Sequence, residues 1–538
     1  MDHRRSRDGG RASPAGYLMM QPTVDEAEAH PPAPRMERFF QGFRRDPQSE
    51  FYSRDGADTI VRSSVVGPYY DLRSATVENA QATGGLMRRL KGRHLQMIAI
   101  GGSVDPSWGF AMGWNYALQW LSVLPLEIIA ASLTLDYWNH SLPRSVFVTI
   151  FLAAILTINM FGVKGYGEAE YIFSMIKVIA VIGFILLAIV LNLGGTPDGG
   201  YIGGKYWHEP GAFHNGFKGI CSVFTTAAFA FAGTELVGLA AAETAAPRKS
   251  LPTAIKQVFW RITLFYVVAL TLVGLLVPHD SPRLFGGASP VDASTSPFVI
   301  AIEAAGIQIL PSVMNAVILV AILSVGNSAV FGSTRTLAAM ANLRQAPRVL
   351  GYVDRKGRPL VAISLAALVG FLAYLADLKQ QRVVLEWLLT ASGLSSIFTW
   401  GSICLCHIRF RRAWAAHGHE PGELPFQAQF GVVGSYVGLA LNCLVIVTQF
   451  WVGASPINSE NMATREIVQN FFLKWMGAPV VFLFFISHKL YYKTRYVKID
   501  DLNIDTGRRQ FNLPILIEQE KEEQANWPRW KVFYKLIC

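Results

Sequence analysis

The chain of 538 residues is too apolar and too poor in charge to be a soluble protein of this size. Hydrophobic residues make up 51% and charged residues 16%, and the apolar blocks, each roughly 18 to 25 residues long, can cross a bilayer as helices. The net charge of +10 does not indicate nucleic acid, because no soluble segment carries a basic stripe interleaved with aromatic residues. We expect an all-α polytopic protein embedded in the lipid bilayer.

The first region in chain order is a polar tail, residues 1–93, rich in Arg, Pro, Ser and Gly. This composition predicts disorder, and the tail has no apolar segment typical of a cleaved signal peptide. A transmembrane domain is expected at residues 94–490, followed by a second tail at residues 491–538. Both tails are predicted to be cytosolic.

Apolar blocks in the transmembrane domain predict about ten membrane-spanning helices. They lie near residues 108–136, 145–163, 171–193, 219–241, 258–278, 311–331, 359–376, 385–406, 430–452 and 470–490. No soluble catalytic domain fits between them, and no nucleophile–base pair or metal-ligand spacing emerges. The sequence therefore predicts a protein that is not an enzyme. The cysteines show no metal or redox spacing, and those within apolar blocks are expected to pack there.

Basic residues in the connecting segments predict the orientation. They precede the first block, recur in alternate connections and follow the last block, whereas the intervening connections are poor in Lys and Arg. These residues are Arg88, Arg89, Lys91, Arg93, Arg248, Lys249, Lys256, Arg344, Arg348, Arg355, Lys356, Arg358, Arg409, Arg411, Arg412, Lys489, Lys493 and Arg495. Both termini are thus expected in the cytosol, and Asn139 is a candidate glycosylation acceptor on the outside.

Three charged residues fall within apolar blocks, where charge is expensive and indicates function. Glu127 lies in the first block, Lys177 in the third and Glu235 in the fourth. Each is a candidate to bind substrate or to carry a proton. The alternative is a buried structural pair or, for Lys177, a side chain that reaches toward the membrane surface. The sequence leaves these interpretations open.

Glycines inside apolar segments predict helices that break within the membrane. Gly233 and Gly238 lie beside Thr234 and Glu235, and a second cluster is Gly101–Gly102–Ser103. Small residues also favour close helix packing, which is the structural alternative. Transporters use broken helices to present free backbone groups to a substrate near the middle of the bilayer.

Several segments, in order, resemble the fungal amino acid permeases of the amino acid–polyamine–organocation superfamily. They are residues 93–103 (RHLQMIAIGGS), 108–120 (WGFAMGWNYALQW), 229–235 (FAFAGTE), 247–252 (PRKSLP), 324–328 (SVGNS) and 332–337 (GSTRTL). The resemblance covers residues 86–500. It implies an inverted-repeat, broken-helix transporter fold and proton-coupled uptake of L-amino acids at the plasma membrane, without a metal or organic cofactor.

The resemblance has a gap directly after Ser103. In the family, Gly-Gly-Ser opens a stretch that completes the first helix and runs through the second to the start of the third. Here Val104–Trp108, which resembles the third helix, follows at once. Most of the first helix and all of the second are absent, which leaves about ten spans instead of twelve. A skipped exon, a degenerate allele and a shortened protein with another role remain open, and we favour the first.

The resemblance also implies roles for individual residues. Backbone groups around Gly101–Ser103 are expected to meet the substrate carboxylate, and carbonyl groups around Phe229–Gly233 are expected to accept from its ammonium group. The full set of candidate substrate-binding residues is Gly101, Gly102, Ser103, Phe229, Ala230, Phe231, Ala232, Gly233, Thr234 and Glu235. Phe231 is expected to cover the substrate side chain, and Glu235 to anchor the broken helix or stand near the ammonium. Lys177 and Glu127 are the proton-coupling candidates.

A second hypothesis is a non-transporting amino acid sensor or a partner-binding membrane protein. The cytosolic tails are candidate sites for trafficking or ubiquitin machinery, and the acylation of Cys538 is left open. Binding of amino acids without net flux would favour the sensor. The identity of the amino acids and the oligomeric state do not follow from the sequence.

Overall fold

The structure, a computed structural model, describes most of the chain after residue 103. The ranges are 104–138, 142–195, 200–213, 215–240, 247–285, 296–377, 381–424, 427–428, 430–457, 459–502, 504 and 527–528. All of them belong to one compact unit, Arg44–Cys538. The predictions for residues 1–93, Gly101–Ser103, Asn139 and Cys538 lie outside the described residues.

Within these ranges the chain forms sixteen α-helices and no β-strand, which confirms the all-α prediction. The helices are α1 (Pro106–Thr134), α2 (Arg144–Met160), α3 (Gly162–Asn192), α4 (Gly216–Ser222), α5 (Phe224–Phe231), α6 (Leu236–Ala240), α7 (Pro247–Ile262), α8 (Ala269–Leu276), α9 (Pro282–Phe285), α10 (Pro297–Ala304), α11 (Leu310–Asn342), α12 (Leu360–Gly370), α13 (Gln381–Ala416), α14 (Gly431–Ala454), α15 (Thr464–Trp475) and α16 (Gly477–Tyr492).

Each predicted span coincides with a helical segment of the described chain. Seven segments are long and apolar enough to cross a membrane. An eighth consists of α15 and α16, which meet at a bend of 59°. The other two predicted spans correspond to shorter apolar helices, α2 and the segment Leu360–Leu375. The polytopic architecture therefore agrees with the pattern of apolar blocks.

Helix α1 lies at the centre of the helical bundle. It is buried around most of its circumference, as expected for a helix surrounded by other helices, and it packs against α11, α13 and α16. Its side chains Trp120, Leu124 and Ile128 are buried in one cluster with Leu337 and Met340 of α11. These contacts make α1 and α11 the main packing pair of the fold.

Helices α1 and α11 approach each other closely at Gly332. A Cβ atom on Gly332 of α11 would lie 3.2 Å from the indole ring of Trp120 and from the Leu236 side chain. Small residues at such crossings let helices pack closely in a membrane, where lipid offers no hydrophobic driving force between them. The short residue on α11 thus makes room for the large one on α1.

The chain that follows α16, residues 493–502, folds back onto the first described residues; we call it the closing segment. The backbone N–H of Val497 donates to the carbonyl of Val104 at 3.1 Å. Arg409 of α13 donates to the hydroxyl of Tyr496 and to the carbonyl of Val497. The closing segment therefore holds the start of α1 and the end of α13 together.

Asp105 is the polar centre of this contact. It caps α1 by accepting from the backbone N–H of Ser107 at 2.8 Å. Its carboxylate also accepts from the hydroxyl of Thr494 at 2.7 Å and pairs with Lys489. Burial by itself raises the pKa of Asp105, but the bonds from Lys489, Thr494 and Ser107 outweigh burial and lower the pKa below its usual value. The contact is consequently stable above that usual value and is lost only as the pH falls through the lowered one.

We expect Asp105→Asn to destabilise the protein by about 1–3 kcal/mol, because the variant loses a charged, buried acceptor that three donors share. The measurement is thermal stability of the detergent-solubilised protein at neutral pH. Asp500→Asn, an exposed change in the same closing segment, is the matched control and should leave stability unchanged. Equal stability of the two variants would show that the Asp105 contact contributes nothing.

Candidate functional site

The fourth apolar block contains a break in the helix. Helix α5 ends at Phe231 and α6 begins at Leu236, so four residues run without regular helical structure. Gly233 has a φ of +93°, a backbone conformation that L side chains rarely adopt. The break predicted from Gly233 is therefore present. Turn-type hydrogen bonds replace the regular helical pairing there, from the N–H of Ala232 to the carbonyl of Phe229 at 3.0 Å and from the N–H of Leu236 to the carbonyl of Gly233 at 3.1 Å.

The carboxylate of Glu235 closes this break. Both of its oxygens accept from the backbone N–H of Gly233, each at 3.2 Å. It also accepts from the hydroxyl of Tyr116 on α1 and from the indole N–H of Trp400 on α13, again at 3.2 Å each. One acidic side chain thus joins the broken helix to two neighbouring helices, and its acceptor capacity is taken up by protein donors.

Aromatic side chains surround the residues before the break. The rings of Phe231 and Tyr266 lie 4.6 Å apart, centroid to centroid. The hydroxyl of Tyr266 donates to the carbonyl of Ala230 at 2.6 Å. On the other side, Trp120 of α1 lies against Gly233. The break is therefore framed by large aromatic rings, among them Phe231, Tyr266 and Trp120.

Helix α5 is held in place by close contact with α13 and α14. A Cβ atom on Gly393 would lie 2.3 Å from the carbonyl oxygen of Thr225, so no other residue fits there without movement. Just before α5, the carbonyl of Cys221 accepts from the side-chain amide of Gln449 at 2.6 Å. These contacts position the helix that leads into the break.

Lys177 lies on α3 and faces α11. The predicted block began at residue 171, but α3 begins at Gly162, so Lys177 stands in the middle of a longer helix than the block indicated. Its ammonium group donates to the hydroxyl of Ser324 at 2.7 Å and lies 3.5 Å from a carboxylate oxygen of Glu170. Ser324 in turn donates to the same oxygen of Glu170. Lys177 is thus part of a polar group of three side chains rather than an isolated charge.

Glu127 is buried in α1 and has no hydrogen-bond or ion-pair partner among the described residues. A Cβ atom on Gly326 of α11 would lie 3.5 Å from the Glu127 Cβ and 3.0 Å from Ile155. Gly326 comes two residues after Ser324, so the same turn of α11 meets both proton-coupling candidates. An unpartnered buried acid is stable there mainly in its neutral form.

The structure thus brings the candidate residues into two groups. Phe229–Glu235 comprise the end of α5 and the break, beside α1 and α13, whereas Lys177 and Glu127 contact one turn of α11. Gly101–Ser103 lie outside the described residues. Within the part of the chain that is described, no cluster of His, Cys, Asp and Glu has a metal-binding arrangement.

Sequence reasoning missed the partners that complete these groups. Tyr116 and Trp400 were not identified because they are 119 and 165 residues from Glu235. The search was for charged residues within apolar blocks. It missed Glu170 because this residue precedes the block at 171–193, and it missed Ser324 because this residue is uncharged. The only available signal for Glu170 was its spacing of seven residues from Lys177, which places two side chains on one helix face.

Comparison with known proteins agrees with this architecture. A family model described as amino acid permease matches residues 99–500. The general amino-acid permease GAP2 of Candida albicans is 46% identical over 603 aligned positions, which cover 100% of this chain and 99% of the relative. The general amino-acid permease GAP1 of Saccharomyces cerevisiae is 52% identical, with 81% of this chain and 73% of the relative covered. The histidine permease of the same yeast is 46% identical over 78% of this chain and 70% of its own length. The chain belongs to the amino acid permease family and is an integral membrane transporter of amino acids, not an enzyme.

Proposed function

We propose that this transporter takes up L-amino acids at the plasma membrane together with protons, with both of its termini in the cytosol. The observation that carries the proposal is the helix break at residues 232–235, closed by the Glu235 carboxylate. A break of this kind presents backbone groups to the charged ends of an amino acid within the membrane. The alternation of basic and basic-poor connections supports the orientation.

The substrate is held mainly by backbone groups in this proposal. Carbonyl groups around Phe229–Gly233 accept from the substrate ammonium, and the backbone of Gly101–Ser103 donates to its carboxylate. Phe231, in contact with Tyr266, covers the substrate side chain. Glu235 acts as the anchor of the break rather than as the ammonium partner, since Gly233, Tyr116 and Trp400 already donate to it.

Proton coupling is assigned to Lys177 and Glu127. Lys177 on α3 and Glu127 on α1 both lie against the turn of α11 that contains Ser324 and Gly326. A charge held within the bilayer is expensive, so a group that gains and loses a proton there changes the relative stability of the transport states. Lys177 would gain and lose a proton as the cavity opens to one side and then to the other.

The apolar outer surface supports insertion into lipid. Helices α3 and α14 expose rows of large apolar side chains, among them Ile179, Leu186, Leu441 and Val447. In water such surfaces would mark an interface, but lipid covers them in a bilayer. The tails before and after this domain remain the proposed sites for trafficking or ubiquitin machinery.

We propose that a segment of the family fold is absent after Ser103 and that this segment is required for transport. Helix α1 begins at Pro106 with its own cap at Asp105. The alignment with the Candida permease spans 603 positions against 538 residues here, which leaves about 65 positions of the relative without a counterpart. At about 20 residues a span, this difference has room for two helices and their connections.

Uptake of a labelled amino acid mixture by permease-deficient cells tests the proposed function. Two versions are expressed and located at the plasma membrane: the chain as it stands, and the chain with a relative's segment inserted after Ser103. The inserted version should accumulate amino acids in a manner abolished by a proton uncoupler. The chain as it stands should accumulate far less, because it lacks half of the broken-helix pair. Amino acid binding without flux in both versions would instead support the sensor.

Glu235→Gln should lower uptake at limiting substrate about tenfold, equivalent to about 1.4 kcal/mol, while the amount of protein at the membrane is unchanged. A carboxamide offers a single acceptor oxygen to three donors and brings an N–H group against them. Tyr116→Phe removes only one donor and should have a smaller effect. Glu460→Gln, an exposed change outside the break, is the control. Equal uptake by the Glu460→Gln and Glu235→Gln variants would show that Glu235 does not anchor the break.

Lys177→Met should abolish proton-driven accumulation but leave exchange of labelled for unlabelled amino acid, because exchange needs no net proton movement. Lys164→Met, an exposed lysine on the same helix α3, is the matched control. Both processes are measured in cells that express the version shown to transport. Uncoupler-sensitive accumulation that survives in Lys177→Met would exclude Lys177 from coupling.

A further inference from the structure

We propose that Glu170 receives the coupling proton from Lys177 through the hydroxyl group of Ser324. The inference rests on the proposed coupling role of Lys177 and deepens it by naming the acceptor. It concerns three side chains on two helices, Lys177 and Glu170 on α3 and Ser324 on α11. The remaining question for Lys177 is where its proton goes when the cavity opens, and the geometry around it contains one continuous path.

The three side chains form a chain of hydrogen bonds with a single direction. The Lys177 ammonium donates to Ser324 Oγ at 2.7 Å, and Ser324 donates its own proton to Glu170 Oε1. The Lys177 nitrogen and Glu170 Oε1 are 3.5 Å apart, too far for a good direct hydrogen bond but close enough for an ion pair. The hydroxyl group therefore provides the hydrogen-bonded route for a proton between the two charges.

The transfer conserves protons and net charge. One N–H bond of Lys177 breaks as an O–H bond to Ser324 forms. The original O–H bond of Ser324 breaks as an O–H bond to Glu170 Oε1 forms. The pair changes from ammonium and carboxylate to neutral amine and neutral carboxyl, and Ser324 ends as a hydroxyl. The total charge of the group is zero before and after, which matters in a membrane interior.

One feature of the surroundings favours Glu170 as a residue that takes up a proton. Its second oxygen, Oε2, is buried and has no hydrogen-bond partner among the described residues. An ionised carboxylate with one unpartnered buried oxygen is costly, and protonation lowers that cost. The unpartnered oxygen therefore brings the two protonation states of the pair closer in free energy.

The position of Glu170 along α3 gives the path a direction across the membrane. Glu170 precedes Lys177 by two helical turns, about 10 Å along the helix axis. It is therefore nearer to the start of α3, which faces the cytosol in the proposed orientation. The relay thus carries the proton from the middle of α3 toward the cytosolic end.

The test uses the full chain, with the inserted segment if the uptake experiment requires it, reconstituted in vesicles that contain a pH-sensitive dye. Amino-acid-driven proton influx and amino acid exchange are both measured. Glu170→Gln should lower proton influx about 100-fold, the lower part of the range for a positioned acid–base group, and retain exchange. Glu168→Gln is the matched control, since Glu168 is an exposed neighbour on the same helix.

Variants of Ser324 distinguish a relay from a purely structural ion pair. Ser324→Ala removes the bridging hydroxyl but leaves both charges, so proton influx should fall while exchange persists. Ser324→Thr keeps a hydroxyl and should restore influx. Equal influx in Ser324→Ala and Ser324→Thr would overturn the relay, and loss of exchange in Glu170→Gln would mark Glu170 as a structural counter-ion only.

The outcomes also separate this inference from the proposed function. If Lys177→Met loses proton influx while Glu170→Gln keeps it, the coupling role of Lys177 stands and the relay is wrong. If Lys177→Met keeps proton influx, the coupling role fails and the relay fails with it. Loss of influx in Lys177→Met, Glu170→Gln and Ser324→Ala, with exchange retained, supports the path.

Discussion

The geometry of the site depends on one carboxylate, that of Glu235, which holds a broken helix against its neighbours. Without it, the backbone N–H of Gly233 would lack an acceptor, and the break would have no link to Tyr116 on α1 or Trp400 on α13. An ionisable side chain in a membrane interior is expensive, and here its cost is offset by three donors. The irregular backbone persists because protein surrounds it, as required for non-helical chain at membrane depth.

The second constraint is the packing of α1 against α11. Gly332 lets the indole of Trp120 lie against α11, and the same indole lies against Gly233 at the break. Nearer the start of α11, Gly326 meets Glu127 and Ser324 meets Lys177. One helix therefore contacts both the break and the two residues predicted to couple protons, Lys177 and Glu127. A shift of α11 relative to α1 would change both groups of contacts.

The sequence predicted the elements better than their contacts. Apolar blocks located the spans because bilayer thickness sets their length, and Gly233 beside Glu235 was visible as an anomaly inside one block. The partners of Glu235 were not visible, since Tyr116 and Trp400 belong to distant parts of the chain. Hydropathy also placed the start of α3 too late. The polar residues Lys164, Glu168 and Glu170 concealed the first turns of that helix.

Asp105 gives the beginning of the C-terminal tail a direct connection to the central helix. The same carboxylate caps α1 and binds Lys489 and Thr494, so the closing segment cannot move away without uncapping α1. A displacement of the closing segment would therefore change the contacts at the start of α1, the most buried of the candidate spans. A change in the tilt of α1 would, conversely, pull on residues 493–502.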